Sequence, residues 1–165
     1  MNIPIYQVDA FADCLFSGNP AAVVFSTPEL TSKMMQAIAA ENNLSETAFV
    51  LFDGENYQIR WFTPTVEVDL CGHATLAAAH VIFNHLGYPS SIVSFLSKIG
   101  PLHVRKEGEV LYLNFPADTP QAVETTSEII SGLGVKPIEL YRGRNDYLAL
   151  FDSEETISSL SPDMD

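Results

Sequence analysis

The chain has 165 residues, enough for one domain or one and a fraction, and 47% hydrophobic residues can fill a sizeable core. Its 21 acidic residues against 8 Lys and Arg leave a net charge of -13, a field that repels nucleic acid and anionic lipid and speaks against both as partners. There is no basic segment followed by an apolar run at the start, no apolar run of transmembrane length, and no framework or ligand spacing for Cys14 and Cys71; the expectation is a cytoplasmic, thiol-containing protein.

Residues 3–11 alternate as a strand, and residues 12–20, with Ser-Gly-Asn-Pro, form a loop. The apolar run 21–25 predicts a strand buried on both faces. A helix follows, opened at Thr27-Pro28 or at Thr31. Leu30, Met34 and Ile38, with Met35 and Ala39 beside them, give it one apolar stripe, and both methionines are expected in the core. Asn42-Asn43 ends it in a left-handed turn. Residues 47–52 and 57–62 are paired strands around Asp53-Gly54-Glu55-Asn56, and Pro64 breaks the second.

The run EVDLCGHATLAAAHVIF, residues 67–83, carries the most information. An alternating segment enters a Cys71-Gly72-His73 turn, and a helix apolar nearly all round begins at once. A helix without a polar face belongs inside a protein. Its first-turn N–H groups have no intrahelical acceptor, and a carboxylate is an efficient one. With the overall charge so negative, an anionic substrate must be held in this local way. Beyond Gly87 and Pro89, residues 91–95, 102–105 and 110–115 are further strands, the last two around Glu107-Gly108-Glu109. The fold class expected is α+β: a mixed, mostly antiparallel sheet curled around the central buried helix. Past Pro116 the texture changes. A linker, a short helix at 128–133, two strands within 138–151 and a serine-capped helix at 153–160 make a tail too small for a comfortable core of its own. The divisions expected are 1–117 and 118–165.

Five places invite chemistry. Glu46, between a helix end and an apolar strand, is either a proton-exchanging acid entering the core, or a solvated loop acid, or a cap partner for Ser45 or Thr47. His73, after a glycine at a helix start, either donates to a substrate or is a structural imidazole on a backbone carbonyl. His80, seven residues on, is expected to be a satisfied core histidine. Cys71 at the helix N-terminus can have a lowered pKa and act as the thiol base of an epimerase, or can be a small buried filler. Asn19 forms a turn or hydrogen-bonds a substrate. Cys71-x-His73 alone lacks the further ligands of a metal site, so no metal is expected.

The segments VDAF…GNPAAVV, NLSETAFV, RWFTP and EVDLCGHATLAAAHV, in that order and spacing, resemble the phenazine biosynthesis (PhzF-like) isomerase family. The resemblance is close from Val8 through Phe115 and weaker on to Pro162-Asp163. It implies a diaminopimelate epimerase-like fold of two similar halves, each wrapping a sheet round a helix, with the active site in the cleft between them and no cofactor. It implies Glu46 as the general acid/base that moves a proton between carbons of a small unsaturated carboxylic acid. The amides from Gly72 through His73 and Ala74 to Thr75 would hold the substrate carboxylate, with His73 assisting and Ser45 lining the pocket. Cys71 takes the place where related epimerases keep a catalytic thiol. The family's second half carries a run of the form E-D-P-V-T-G-S-A, which this sequence lacks, so the chain looks like the N-terminal half with a truncated start of the second. Two copies standing in for each other's missing half would make a homodimer. The competing expectation is an inactive remnant or a small-carboxylate binding module.

Overall fold

The computed structural model describes residues 2–14 and 16–163. Leu15 of the expected loop, and Met164 and Asp165 of the tail, lie outside the described residues. The chain divides into two compact units, Met1–Phe115 and Pro116–Asp165.

In the first unit, β1 (Ile5–Ala10) pairs antiparallel with β2 (Asn19–Phe25). The strand starts earlier than the loop reading allows. Asn19 is paired with Ala10 and Pro20 with Asp9, while pairing with the next strand begins only at Ala21. Pro20, with no N–H, therefore sits where the strand has a neighbour on one side only. The turn conformation falls on Gly18 (φ 79°), whose missing Cβ would stand 2.3 Å from the Ala10 carbonyl oxygen, so Asn19 is a strand residue and not the turn former.

Helix α1 (Ser32–Asn42) is capped by Thr31, whose hydroxyl accepts from the Met34 N–H, and ends at Asn43 in the left-handed conformation. Its buried residues are Met35 and Ala39, whereas Met34 is 52% exposed. The expected stripe fails because Leu30 precedes the helix, so counting helical turns from it selects the wrong face. Strand β3 (Glu46–Phe52) runs parallel to β2, and β4 (Tyr57–Phe62) returns antiparallel to it. The two-residue β5 (Glu67–Val68) pairs with the end of β4 and leads into helix α2 (Gly72–Asn84). Then β6 (Ile92–Ser97), parallel to β4, opens an antiparallel meander with β7 (Gly100–Glu107) and β8 (Val110–Asn114).

The sheet order is β1-β2-β3-β4-β6-β7-β8. Laid flat, the outer strands of such a sheet would be about 29 Å apart, against a helix diameter of about 10–12 Å. Yet α2 packs on β1, β2, β3 and also β8. The sheet is therefore curled around α2. The interior combines Val23, Val50, Ile59, Trp61, Phe95, Leu102 and Val104 with Ala74, Ala77, Ala78, Val81 and Ile82 of the helix. The alanines allow the close approach. One line of α2 is incompletely covered: Gly72, Leu76 and His80 are half-buried and Asn84 is exposed, so the helix has a thin open edge that apolar content alone concealed. Helix α1 packs on the outer face through Leu30, Met35, Ala39, Val24, Phe49 and Phe62.

The second unit contains a three-stranded antiparallel sheet of β9 (Gln121–Ala122), β10 (Glu139–Arg142) and β11 (Tyr147–Leu150), in the order β11-β10-β9. Two short helices accompany it, α3 (Ser127–Leu133) and α4 (Glu154–Ser158), capped by Thr126 and Ser153. The second helix is shorter than the serine-capped segment promised. Leu140 and Pro137 are buried here, while Ile138, Leu148 and Ile157 are more than half exposed, as expected of a piece with little core.

Candidate active site

Alternation along β3 decides where Glu46 points. Ala48 and Val50 face α2 in the inner core, and Phe49 faces α1, so Glu46 shares the inner side with Ala48 and Val50. The Asn42 amide, from the last residue of α1, donates to Thr47 Oγ1 at 3.1 Å and fixes the entry to the strand. Thr47 is paired with Phe62, and Phe62 with Glu67, so the start of β3 and the run into α2 meet at one end of the sheet. Arg60 holds that run by a two-pronged ion pair, Nε to Glu67 Oε1 and Nη2 to Oε2, each 2.8 Å, and also donates to Ser32 Oγ at 2.9 Å. This guanidinium holds the Glu67 carboxyl below its usual range.

The result is a three-group cluster. His73 Nε2 stands 3.4 Å from Glu46 Oε2, with side chains 9% and 22% exposed. Their alignment falls short of a formed hydrogen bond, which leaves buried Nε2 without one among the described residues. Cys71 Sγ lies 3.5 Å from His73 Nδ1. Glu46, Cys71 and His73 each present a donor or acceptor atom within 4.8 Å of the others. No sequence spacing could join Glu46 to Cys71-x-His73, because it arrives on a different element.

The thiol does not behave as the helix-start argument suggests. Burial pushes the Cys71 thiol up to about 12; the Ala74 N–H pulls the other way, and the Glu46 charge adds to the rise. A thiolate base near neutral pH is thereby disfavoured; of the two readings of Cys71, burial supports the small buried filler, because desolvation outweighs the helix dipole. Thr75 departs from expectation too. It is fully buried, its hydroxyl donates to the Cys71 carbonyl at 2.6 Å, and its N–H meets the same oxygen at 3.3 Å. Both donors are occupied, so the first-turn N–H groups of Gly72, His73 and Ala74 are those left without an intrahelical acceptor. Gly72 is half-buried, and a Cβ there would press on Phe115 Cε2 at 3.0 Å. That close approach escaped the sequence reading, because nothing local connects residue 72 with residue 115.

Ser45, exposed, directly precedes Glu46. Asn19 lies at the same sheet end, two residues before Ala21, the partner of Glu46. His80 stands apart from the cluster. It is half-buried, with Nδ1 3.1 Å from the Asn84 amide nitrogen, not a fully buried core residue.

Residues 8–165 match the family described as phenazine biosynthesis-like protein. A protein of Pseudomonas aeruginosa named as an uncharacterized isomerase is 48% identical over 163 residues, covering 99% of this chain and 62% of the relative. A second so-named protein, from Halalkalibacterium halodurans, is 45% identical over 165 residues and is also covered to 62%. The chain thus spans less than two thirds of the length of these relatives. A crystal structure of a phenazine biosynthesis protein of the PhzF family from Enterococcus faecalis superimposes with a TM-score of 0.90 at 47% identity, over 99% of this chain and 62% of that one. A predicted epimerase of Pseudomonas aeruginosa, 20% identical, shares the fold at a TM-score of 0.72, over 98% of this chain and 63% of that one. The curled α+β architecture and the match over nearly the whole sequence establish that this chain belongs to the phenazine biosynthesis-like protein family.

Proposed function

We propose that the cluster is the proton-transfer centre of a cofactor-independent isomerase acting on a small unsaturated carboxylic acid. The observation that carries this reading is the pairing of Glu46 with a buried His73 nitrogen that has no hydrogen bond among the described residues, beside the first-turn amides of a buried helix. The substrate carboxylate accepts from the Gly72, His73 and Ala74 N–H groups, where the helix dipole favours negative charge. Glu46 takes a proton from one carbon and returns it to another. The charge that develops between the two steps is delocalised toward the carboxylate and stabilised by the same amides. With the Cys71 S–H donating to Nδ1, a neutral His73 ring carries its hydrogen on Nε2, facing Glu46 and the reacting carbons. Ser45 and Asn19 border the opening.

The test is hydrogen exchange. Short β,γ-unsaturated carboxylic acids incubated with the chain in D2O should exchange a carbon-bound proton, followed by NMR. Glu46→Gln should slow exchange by about 10²–10⁴-fold and leave carboxylate binding intact. An unmodified chain that binds these acids but exchanges nothing would replace the isomerase with a carboxylate-binding module on the same amides.

A further inference from the structure

We propose that Glu46, Cys71 and His73 together bind a thiophilic divalent cation, Zn2+ being the natural probe. The donor set is one thiol, one imidazole and one carboxylate, which are zinc's preferred ligand types, and all three lie within 4.8 Å of one another. Ligand atoms around tetrahedral zinc stand about 3.3–3.8 Å apart, given bonds of about 2.0–2.3 Å. One separation, Cys71 Sγ to His73 Nδ1 at 3.5 Å, already has that length. One metal takes one ring nitrogen; one such nitrogen, the thiol sulfur and a carboxylate oxygen lie within 4.8 Å of one another, and binding draws them together.

An independent observation points the same way. The His73 side chain is 9% exposed, and its Nε2, buried and facing the Glu46 carboxylate, has no hydrogen bond among the described residues. A buried nitrogen in that state costs free energy that a ligand can recover. The donors are also held by the ends of rigid elements, the start of β3 and the start of α2. A fourth position falls on the Glu46 side, where the site is more open, and suits water or a substrate carboxylate. The other histidine pair offers no comparable seat: His80 and His85 share their corner with Lys106, whose ammonium donates to Asn84 Oδ1 and repels a cation.

Binding is a simple exchange. The Cys71 S–H bond breaks, its proton passes to solvent, and a metal–sulfur bond forms, while Glu46 and His73 each supply a lone pair; nothing is oxidised or reduced. A carboxylate bound to the metal cannot also accept a substrate proton. Metal occupancy and proton transfer therefore exclude each other; this inhibitory consequence rests on the isomerase reading, while the binding itself does not.

The experiment needs no turnover. The 165-residue chain, freed of metal with a chelator, is titrated with Co2+. A thiolate-to-cobalt charge-transfer band in the near ultraviolet should saturate at one equivalent and vanish when Zn2+ is added. Cys71→Ser should abolish the band and weaken Zn2+ binding at least about tenfold, and Cys14→Ser should change neither. Glu46→Gln, which keeps the thiol, should weaken Zn2+ by a similar factor while retaining a band; circular dichroism confirms folding in each case. The proposal is overturned if the parent gives no thiolate band, if the band follows Cys14, or if Zn2+ affinity ignores Glu46→Gln.

Discussion

His73 Nε2 faces Glu46 Oε2 across 3.4 Å, although the two residues come from different elements, the first turn of α2 and the first position of β3. The approach is an ordinary contact distance, looser than a formed hydrogen bond. Both side chains retain capacity for a third party. Catalytic hydrogen bonds often tighten only when substrate is present.

Cys71 should be unreactive in the folded chain. Its thiol, pushed up to about 12 chiefly by burial, keeps its proton, whereas exposed Cys14 meets solvent. Iodoacetamide at mildly alkaline pH should label Cys14 alone, and both cysteines once urea unfolds the chain. The same shift sets a pH dependence. From about pH 9, the ordinary value for this thiol, to about 12, the unfolded chain sheds the proton that the folded chain keeps. The unfolded state then binds fewer protons, so stability falls as pH rises, by up to about 1.4 kcal/mol per unit. Urea midpoints across this range should decline less steeply in Cys71→Ala; parallel declines in the two proteins would remove the thiol as their cause.

Thr75→Val keeps the side-chain shape and deletes the hydroxyl that donates to the Cys71 carbonyl at 2.6 Å. The carbonyl retains the Thr75 N–H as a partner at 3.3 Å, so it is not orphaned. The expected loss is about 1 kcal/mol, or about 2–4 °C in Tm. Calorimetry reads it. An unchanged Tm would show that the hydroxyl adds nothing to the turn that aims the Gly72 and His73 amides.

We propose that the chain forms a homodimer. Ile138 is 62% exposed, Leu148 59% and Ile157 56% in a unit where little is buried, and Phe16 of the first unit is 98% exposed. Apolar surface of this kind favours association. Light scattering should report about twice the chain mass at micromolar concentration. A stable monomer after dilution would reject the dimer without touching the site chemistry.

Much of the site was legible because its parts are local. The apolar run after Cys71-Gly72-His73 announces a buried helix start, and the position of Glu46 between a helix end and an apolar strand marks it as unusual. The failures share a cause. The stripe that placed Met34 in the core was counted from Leu30, outside the helix. The choice between an acidic thiol and a buried filler at Cys71 stays open in the sequence, where the helix dipole is legible and desolvation and the approach of Glu46 are not. The resemblance counts the Thr75 amide among the substrate donors, and its bonds to the Cys71 carbonyl depend on turn geometry that no local pattern shows.

By itself, the sequence determined that one rod of small and branched apolar residues must be enclosed, since no face of it could be solvated at large, and that strands would supply the enclosure. Only the tertiary structure decided what meets the rod's first turn. Strand pairing from Thr47 through Phe62 to Glu67 brings Glu46 beside Cys71 and His73, and the packing of β8 on α2 brings Phe115 against Gly72. Such juxtapositions depend on register and on the curl of the sheet. These are set by packing between distant segments, which no local pattern encodes.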